Sequence, residues 1–485
     1  MSDGLKPYWQ NYIGGRWVDG SDSARIAVEN PASGETLAEI ARGTASDIDA
    51  AVAAARACVE SRALIEPRPC VRGQWLVEMA RRLRARADEF ARLITLEQGK
   101  NISQAHMEVE DSARYLEYYG GLADKIEGRY IPLGDGYVDY VVPCPYGVSA
   151  QIVPWNYPLG MTTRSLAPAL AAGNAVVVKS PELTPLNVAL FFELCADLDL
   201  PAGALNLVCG HGFDAGAALA SHADIDQIVF TGSVATGQSI LRAAAESVLP
   251  CVMELGGKSA GLVCADANLD DVVESVRWGI FLNAGQACNA MSRLLVQRPI
   301  YEQLLARLQA LVGEFTVGPG IDDHFATPVV SAGQCQRVAE YLRIGRAEGA
   351  RLLVGGERIA ALPGHFIAPT IFADVTPEMR IAREEIFGPV LSVIPFDSVD
   401  EAIAIANGSD YGLAAGVFTR DLDRALWTAE RLQAGQVYVN EWFAGGVETP
   451  FGGFGKSGYG REKGQEALAS YYQSKSVGIR RRGAR

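Results

Sequence analysis

The stretch Gly147–Ser180, GVSAQIVPWNYPLGMTTRSLAPALAAGNAVVVKS, sets the fold class. Its ends, GVSAQIVPW and NAVVVKS, are short β-rich runs, and the segment between them has room for a helix that places Tyr157, Met161 and Arg164 on one face. A strand, a helix and a further strand imply a parallel pair, in a sheet covered by helices on both faces. Within the same stretch SLAPALAAGNAVVVK is the longest weakly polar run, but Pro168, Gly173 and Asn174 interrupt it, and it is too short to span a bilayer.

Downstream the alternation continues through ALNLVCG, DQIVFTG and PCVMELG. Helices fit between these runs: Thr184 is expected to cap one, with Pro185 in its first turn, and Ser233 to open another running to Ser247. A second series begins near Ser259 with SAGLVC, RLLVQ, ARLLVGG, VLSVIPF, AAGVFT and GQVYVN, and it is not a repeat of the first. Upstream, residues 46–64, 71–99 and 104–125 carry apolar residues at helical spacing. GRYIPLGDGYVDYVVPCPYG then alternates around a Gly-Asp-Gly turn, as a β-hairpin does, and is expected to make a subunit contact. The reading is an α/β protein with two doubly wound domains and a small β element. Residues 1–125 and 146–256 would form the first domain, 257–456 the second, and 126–145 with 457–485 the bridging element.

At 485 residues the chain exceeds one hydrophobic core. A formal charge of −14 argues against nucleic acid or an anionic membrane as partner, and the basic tail RRRGAR reads as a solvated end. No secretory h-region follows Met1, and the nine cysteines lack regular spacing. These features suggest reduced thiols in a cytoplasmic protein. There is no CxxC and no HExxH, and with five histidines no metal site is expected.

Several residues could carry chemistry, each with an ordinary alternative. Gly232 and Ser233 in FTGSVATGQ follow a strand and open a helix whose free N–H groups suit a phosphate, though any capped helix looks alike. Lys179 and Glu182 follow a buried strand at the edge where open α/β sheets bind ligands; they suit a ribose diol, or form a surface ion pair. Glu254 in VMELGGKS ends an apolar strand, where burial would raise its pKa into the range of a general base, or it pairs with Lys258. Asn156, between two prolines, could donate to an oxyanion or only shape a turn. Cys288 in FLNAGQACNAMSR sits among small and amide residues that suit a backbone close to a ligand, and helix N–H groups or a bound cation could favour its thiolate. The other eight cysteines read as small buried hydrophobes.

Taken in order, PWNYP, VKSPELTP, FTGS, MELGGKS, FLNAGQAC, EEIFGPV and PFGGFGKSGYGRE resemble the motifs of the NAD(P)-dependent aldehyde dehydrogenase superfamily, hydrolytic type, over practically the whole chain. The resemblance implies that Cys288 is the nucleophile, Asn156 the oxyanion donor, Glu254 the general base, and Glu462 a carboxylate relaying protons from that base. It implies that Lys179 and Glu182 bind the adenosine ribose, Gly232 and Ser233 the pyrophosphate, and Glu385, with Phe387 beside it, the nicotinamide ribose, while Trp155 lines the cofactor cleft. NAD is the expected cofactor, since the Glu182 charge would disfavour the 2′-phosphate of NADP. Hydrolysis rather than transfer to coenzyme A is expected because Glu254 is present.

The resemblance also places Tyr157, Met161, Arg164, Trp442 and Phe451 in the substrate tunnel. An arginine at position 164 opposes a trimethylammonium aldehyde, resembles members that oxidise semialdehydes or aromatic aldehydes, and could instead turn away into an ion pair. A semialdehyde or aromatic aldehyde is therefore expected ahead of a plain aliphatic one. A homodimer or homotetramer is implied, with the hairpin and the C-terminal strand crossing between subunits. Two rival readings are a catalytically silent binding relative and a cysteine hydrolase. The first has no use for Cys288, Glu254 and Asn156 together, and the second none for the dinucleotide motifs.

Overall fold

The computed structural model describes residues 5–481. Five parallel strands, Val148–Ile152, Ala175–Ser180, Leu205–Cys209, Gln227–Thr231 and Cys251–Glu254, form the centre of the first sheet. Their spatial order is fifth, fourth, first, second, third. The order reverses between Val148–Ile152 and Gln227–Thr231, so the chain leaves these neighbours in opposite directions and opens a crevice beyond their carboxyl ends. Antiparallel strands extend both edges: Asn11–Ile13 and Arg16–Val18 on one side, Gly458–Tyr459 on the other.

A second sheet of seven strands runs Arg351–Val354, Thr370–Ala373, Val390–Phe396, Arg293–Gln297, Ala260–Val263, Ala414–Phe418 and Gln436–Val439, with only the first antiparallel. The hairpin forms as expected: Arg129–Ile131 pairs with Tyr137–Pro145, which pairs along its length with Tyr472–Arg480. The fold is thus two α/β sheets with a small antiparallel β element. No helix among the described residues is long and apolar enough to cross a membrane.

Three helices position the site. Ile102–Leu122 (α1) is capped by Asn101, whose side chain accepts from Gln104 N at 2.9 Å. Pro158–Ala172 (α2) starts on a proline and ends at Gly173 in a left-handed conformation, φ 99°. Every α2 residue except Met161 is buried, and the hydroxyls of Thr162, Thr163 and Ser165 are satisfied by donating to the Pro158, Leu159 and Met161 carbonyls of the same helix. Val234–Glu246 (α3) is capped by Ser233, as expected.

The structure departs from the sequence reading in three places. The region before residue 46, to which the sequence reading assigns no elements, holds a small sheet of Tyr8–Trp9, Thr36–Ala41 and Arg25–Glu29. The helix expected over 71–99 is two, Pro69–Ala85 and Ala87–Gln98, because Arg86 leaves helical dihedrals at φ −117°, ψ 23°. Thr184 caps nothing, since its hydroxyl donates to the Trp155 carbonyl at 3.1 Å. The helix Leu186–Cys195 is capped instead by the buried Glu97 carboxyl, which accepts from Leu186 N and Asn187 N at 2.7 Å each.

Candidate active site

Two cavities meet at Cys288. The first, of about 230 Å³, occupies the crevice at the switch point and is walled by Trp155, Gly232, Ser233, Glu254, Glu385 and Phe387. The second is a tunnel of about 320 Å³ lined by Tyr157, Met161, Arg164, Phe443 and Phe451 and by one face of α1. Asn156, Thr231 and Cys288 belong to both. A sulfur at the junction faces a crevice on one side and a mostly apolar passage on the other.

The turn before Cys288 is unusual. Asn283 and Ala284 have φ of 50° and 51°, and Gly285 has φ of 72°. Non-glycine residues held there cost of order 1–3 kcal/mol each, so the surroundings must enforce the shape. A Cβ at Gly285 would collide with the Gly388 carbonyl. The close approach is therefore to backbone, not to a ligand. The amides lock the turn as well: Asn283 Nδ2 donates to the Asn156 carbonyl at 3.0 Å, and Gln286 Oε1 accepts from Val330 N at 2.9 Å.

The expected help from helix N–H groups is missing, because Cys288 follows the C-terminal end of the helix Leu269–Phe281, the end with the opposite polarity. Burial pushes the Cys288 thiol up to about 12, the Arg164 charge opposes this, and Glu254 and Glu385 add to it. Without a further positive charge the sulfur is a thiol at neutral pH.

Asn156 is buried, and its Nδ2 donates to the Gln286 carbonyl at 2.9 Å, on the turn that carries Cys288. Its backbone is held by residues that the sequence reading missed. Lys100, wholly buried, donates to the Asn156 carbonyl at 3.0 Å and to Glu108 at 2.5 Å, and its ammonium lies 3.7 Å from the Tyr157 ring centroid. Glu108 accepts from Leu159 N and Gly160 N at 3.1 Å each, capping α2. A carboxylate on the apolar side of α1, with a lysine just before the helix, was the available signal, since such a buried pair survives only when its hydrogen bonds are satisfied.

Glu254 is buried in the crevice wall with neither carboxyl oxygen hydrogen-bonded. Burial and the negative charge of Glu462 hold it well above the usual carboxylate range, against Arg164 and Arg461. The alternative partner does not reach it: Lys258 is buried without a hydrogen bond, and burial followed by Arg293 brings it down to about 7. Glu462 is buried behind the tunnel wall and forms an ion pair with Arg164. Arg164 also lies over the Phe451 ring, 4.9 Å from its centroid. The expectation that Arg164 would meet a substrate carboxylate therefore gives way to the ion pair, because its charge is already matched.

In the crevice Trp155 and Phe387 stand edge to face, 5.3 Å apart. Glu385 accepts from Gly257 N at 2.9 Å. Gly232 N is engaged with the Glu254 carbonyl at 3.0 Å, tying the phosphate turn to the carboxylate strand, so the free donors at this end of α3 belong to its first turn. Lys179 and Glu182 form an ion pair at 2.9 Å. Burial works to raise the Glu182 pKa, but Lys179, a backbone N–H and His211 together keep it below the ordinary value. A carboxylate and an ammonium beside a sheet edge, and N–H groups beyond a glycine turn, fit a dinucleotide.

Trp442 is a correction, for it lies beneath the tunnel rather than in it. Gly279 and Gly416 leave the space it fills, and its indole N–H donates to the Asn289 carbonyl at 3.1 Å. Exposure does not single out Cys288 either: Cys70, Cys144 and Cys251 are also partly exposed, and only Cys58, Cys195, Cys209, Cys264 and Cys335 are buried. Among the described residues no cluster of three or more metal-ligating side chains occurs.

The sequence pattern of the aldehyde dehydrogenase family matches residues 17–477. An aldehyde dehydrogenase of Aspergillus niger is 42% identical over 97% of this chain and 94% of its own length. A mitochondrial benzaldehyde dehydrogenase of Antirrhinum majus is 41% identical over 98% and 91%. The NAD+ complex of an aldehyde dehydrogenase from Bacillus cereus superposes with a TM-score of 0.96, at 38% identity, over 98% of this chain and 99% of that one. The chain belongs to the aldehyde dehydrogenase family, and aldehyde oxidation is its reaction class.

Proposed function

We propose that the protein oxidises aromatic or similarly apolar aldehydes to carboxylic acids, with NAD as cofactor and Cys288 as nucleophile. The observation that carries this is the meeting of crevice and tunnel at one cysteine, with Asn156 shared and Glu254 on the crevice side. When bound in the crevice lined by Trp155, Gly232, Ser233, Glu385 and Phe387, NAD would supply a hydride acceptor and the positive charge of its nicotinamide.

The chain's own groups do the rest. Cys288 Sγ, once ionised, adds to the aldehyde carbon, and the amide of Asn156 turns from the Gln286 carbonyl to the new oxyanion. Loss of hydride from that carbon leaves a thioester on Cys288. Glu254 then takes a proton from water, the water oxygen adds to the thioester, and the carboxylic acid leaves as the sulfur departs. Burial and the Glu462 charge raise the Glu254 carboxyl above its usual range, which makes it a stronger base toward water than an ordinary carboxylate. Glu462, coupled to Glu254 by charge and paired with Arg164, is the onward relay.

The cofactor preference rests on Glu182. Its ionised carboxylate, held by Lys179, favours a ribose diol over a 2′-phosphate, which supports NAD over NADP. The substrate preference rests on the tunnel: Tyr115, Tyr157, Phe443, Phe451 and Met161 offer an aromatic body faces and edges to pack on. The benzaldehyde dehydrogenase among the relatives supports the same class. The hairpin and the Tyr472–Arg480 strand expose Tyr130, Tyr137, Tyr140, Val142 and Ile479, which supports a dimer or tetramer built on that sheet.

The test is NADH formation from benzaldehyde, hexanal and succinic semialdehyde, with NADP run in parallel and Cys288→Ala as control. The proposal expects benzaldehyde and NAD to give the highest kcat/KM and the variant none. A preference for succinic semialdehyde or NADP, or activity in the variant, would overturn it.

A further inference from the structure

Two cations line the tunnel, Arg164 and Lys463. Arg164 is paired with Glu462, whereas Lys463 makes no ion pair or side-chain hydrogen bond among the described residues. Its ammonium lies 5.9 Å from the Phe451 ring centroid, on the wall that also carries Arg164. The backbone there is fixed on both sides. Phe451 N donates to the Glu462 carbonyl at 2.6 Å, Glu462 N to the Phe451 carbonyl at 2.8 Å, and Gly464 N to the Val447 carbonyl at 2.7 Å. Lys463 itself is left-handed, φ 60°, at a position that glycine would occupy without strain. A half-buried lysine is therefore held in a conformation its own preferences disfavour, with its ammonium near the Phe451 ring of the tunnel wall.

The charges facing it do not satisfy it. Burial first, then Arg164, bring Lys463 down to about 8, with Arg114 adding to the repulsion and Asp111 and Glu448 attracting. Glu448 is already bound to Arg114 at 2.9 Å. Asp111 stands exposed on α1, one turn beyond the exposed Met107, so both mark the rim of the tunnel while Cys288 marks its inner end.

We infer that Lys463 is the specificity-determining cation of the tunnel: its ammonium receives a carboxylate at the far end of an aldehyde whose apolar or aromatic body lies along Phe451, Phe443 and Tyr157. This rests on the aldehyde-oxidising reading of the same tunnel and adds a polar terminus to its substrate. A cation in a wall of low polarity attracts an anion more strongly than one in water, and nothing bound to Lys463 must first be displaced.

The experiment compares kcat/KM for benzaldehyde and 4-carboxybenzaldehyde, with saturating NAD, in the wild type, Lys463→Met, Lys463→Gly and Lys463→Arg. Methionine keeps the bulk without the charge, glycine also relieves the backbone, and arginine restores the charge. The Met and Gly variants are expected to lower the ratio of carboxylated to plain substrate by roughly tenfold or more, through KM, with benzaldehyde itself within about twofold of wild type. The Arg variant is expected to keep most of the ratio. A ratio unchanged in the Met and Gly variants, or an equal loss on both substrates, overturns the assignment. If wild-type protein oxidises neither aldehyde, the underlying reading falls as well, and that outcome is distinct from the other two.

Discussion

Replacing Arg164 by methionine separates two ideas about this residue. Its guanidinium is buried with Glu462, the side chains exposing 4% and 2% of their surfaces. Removing one partner of such a pair leaves the other as an uncompensated buried charge, at a cost of about 3–5 kcal/mol. Burial already lifts the Glu462 pKa above the ordinary carboxylate value, with Arg164 pulling it down. In Arg164→Met it would rise further. A carboxyl whose folded pKa is raised contributes stability that is present below its unfolded pKa and is lost as pH rises through the folded pKa. The variant should therefore be least damaged in mild acid and most damaged above neutrality. The assay is the urea midpoint at several pH values for Arg164→Met and for Arg164→Met with Glu462→Leu. The double variant should recover most of the loss, because replacing both charges by apolar groups is nearly neutral. Turnover of neutral and carboxylated aldehydes should fall together in the single variant. A single variant as stable as wild type, or one that selectively loses carboxylated substrates, would refute the reasoning.

Asn156→Ala should lower kcat by about 10²–10³ with little change in melting temperature, the loss expected for one oxyanion donor; steady-state kinetics at saturating aldehyde check it. Because the Cys288 thiol is pushed up to about 12, iodoacetamide should label Cys288 slowly at pH 7.5 and faster once NAD brings its positive charge, as peptide mass spectrometry would report. Glu97, pushed up to about 8 chiefly by burial, should contribute stability that is lost as pH rises from its unfolded pKa through about 8. Glu97→Gln should accordingly flatten the fall in melting temperature between pH 5 and 8, read by scanning fluorimetry against wild type.

The strands of both sheets were legible because each is a short apolar run bounded by turn residues, as a strand buried on both faces must be. Thr370–Ala373 escaped, as did the short antiparallel edge strands Asn11–Ile13, Arg16–Val18 and Gly458–Tyr459. The motif residues were legible as a set, and the two cavities gather nearly all of those expected near the sulfur. What sequence could not give was the direction of side chains. Trp442 is aromatic and close in sequence to Phe443, yet Gly279 and Gly416, far away along the chain, made the space that draws it under the tunnel. Arg164 reads equally well as a substrate contact or an ion-pair member until Glu462 is seen beside it. Lys100 lies in the short link before α1 and Glu108 two turns into that helix, and their function in holding Asn156 depends on a contact across 56 residues.

The account depends on an acyl group passing through Cys288 and waiting there for a water activated by Glu254. Glu254→Gln, mixed with NAD and benzaldehyde, should release one equivalent of NADH per active site in a burst and then stall. Intact-protein and peptide mass spectrometry should find a benzoyl group on Cys288. Steady turnover at the wild-type rate without a stall, or an acyl group on any residue other than Cys288, would contradict it.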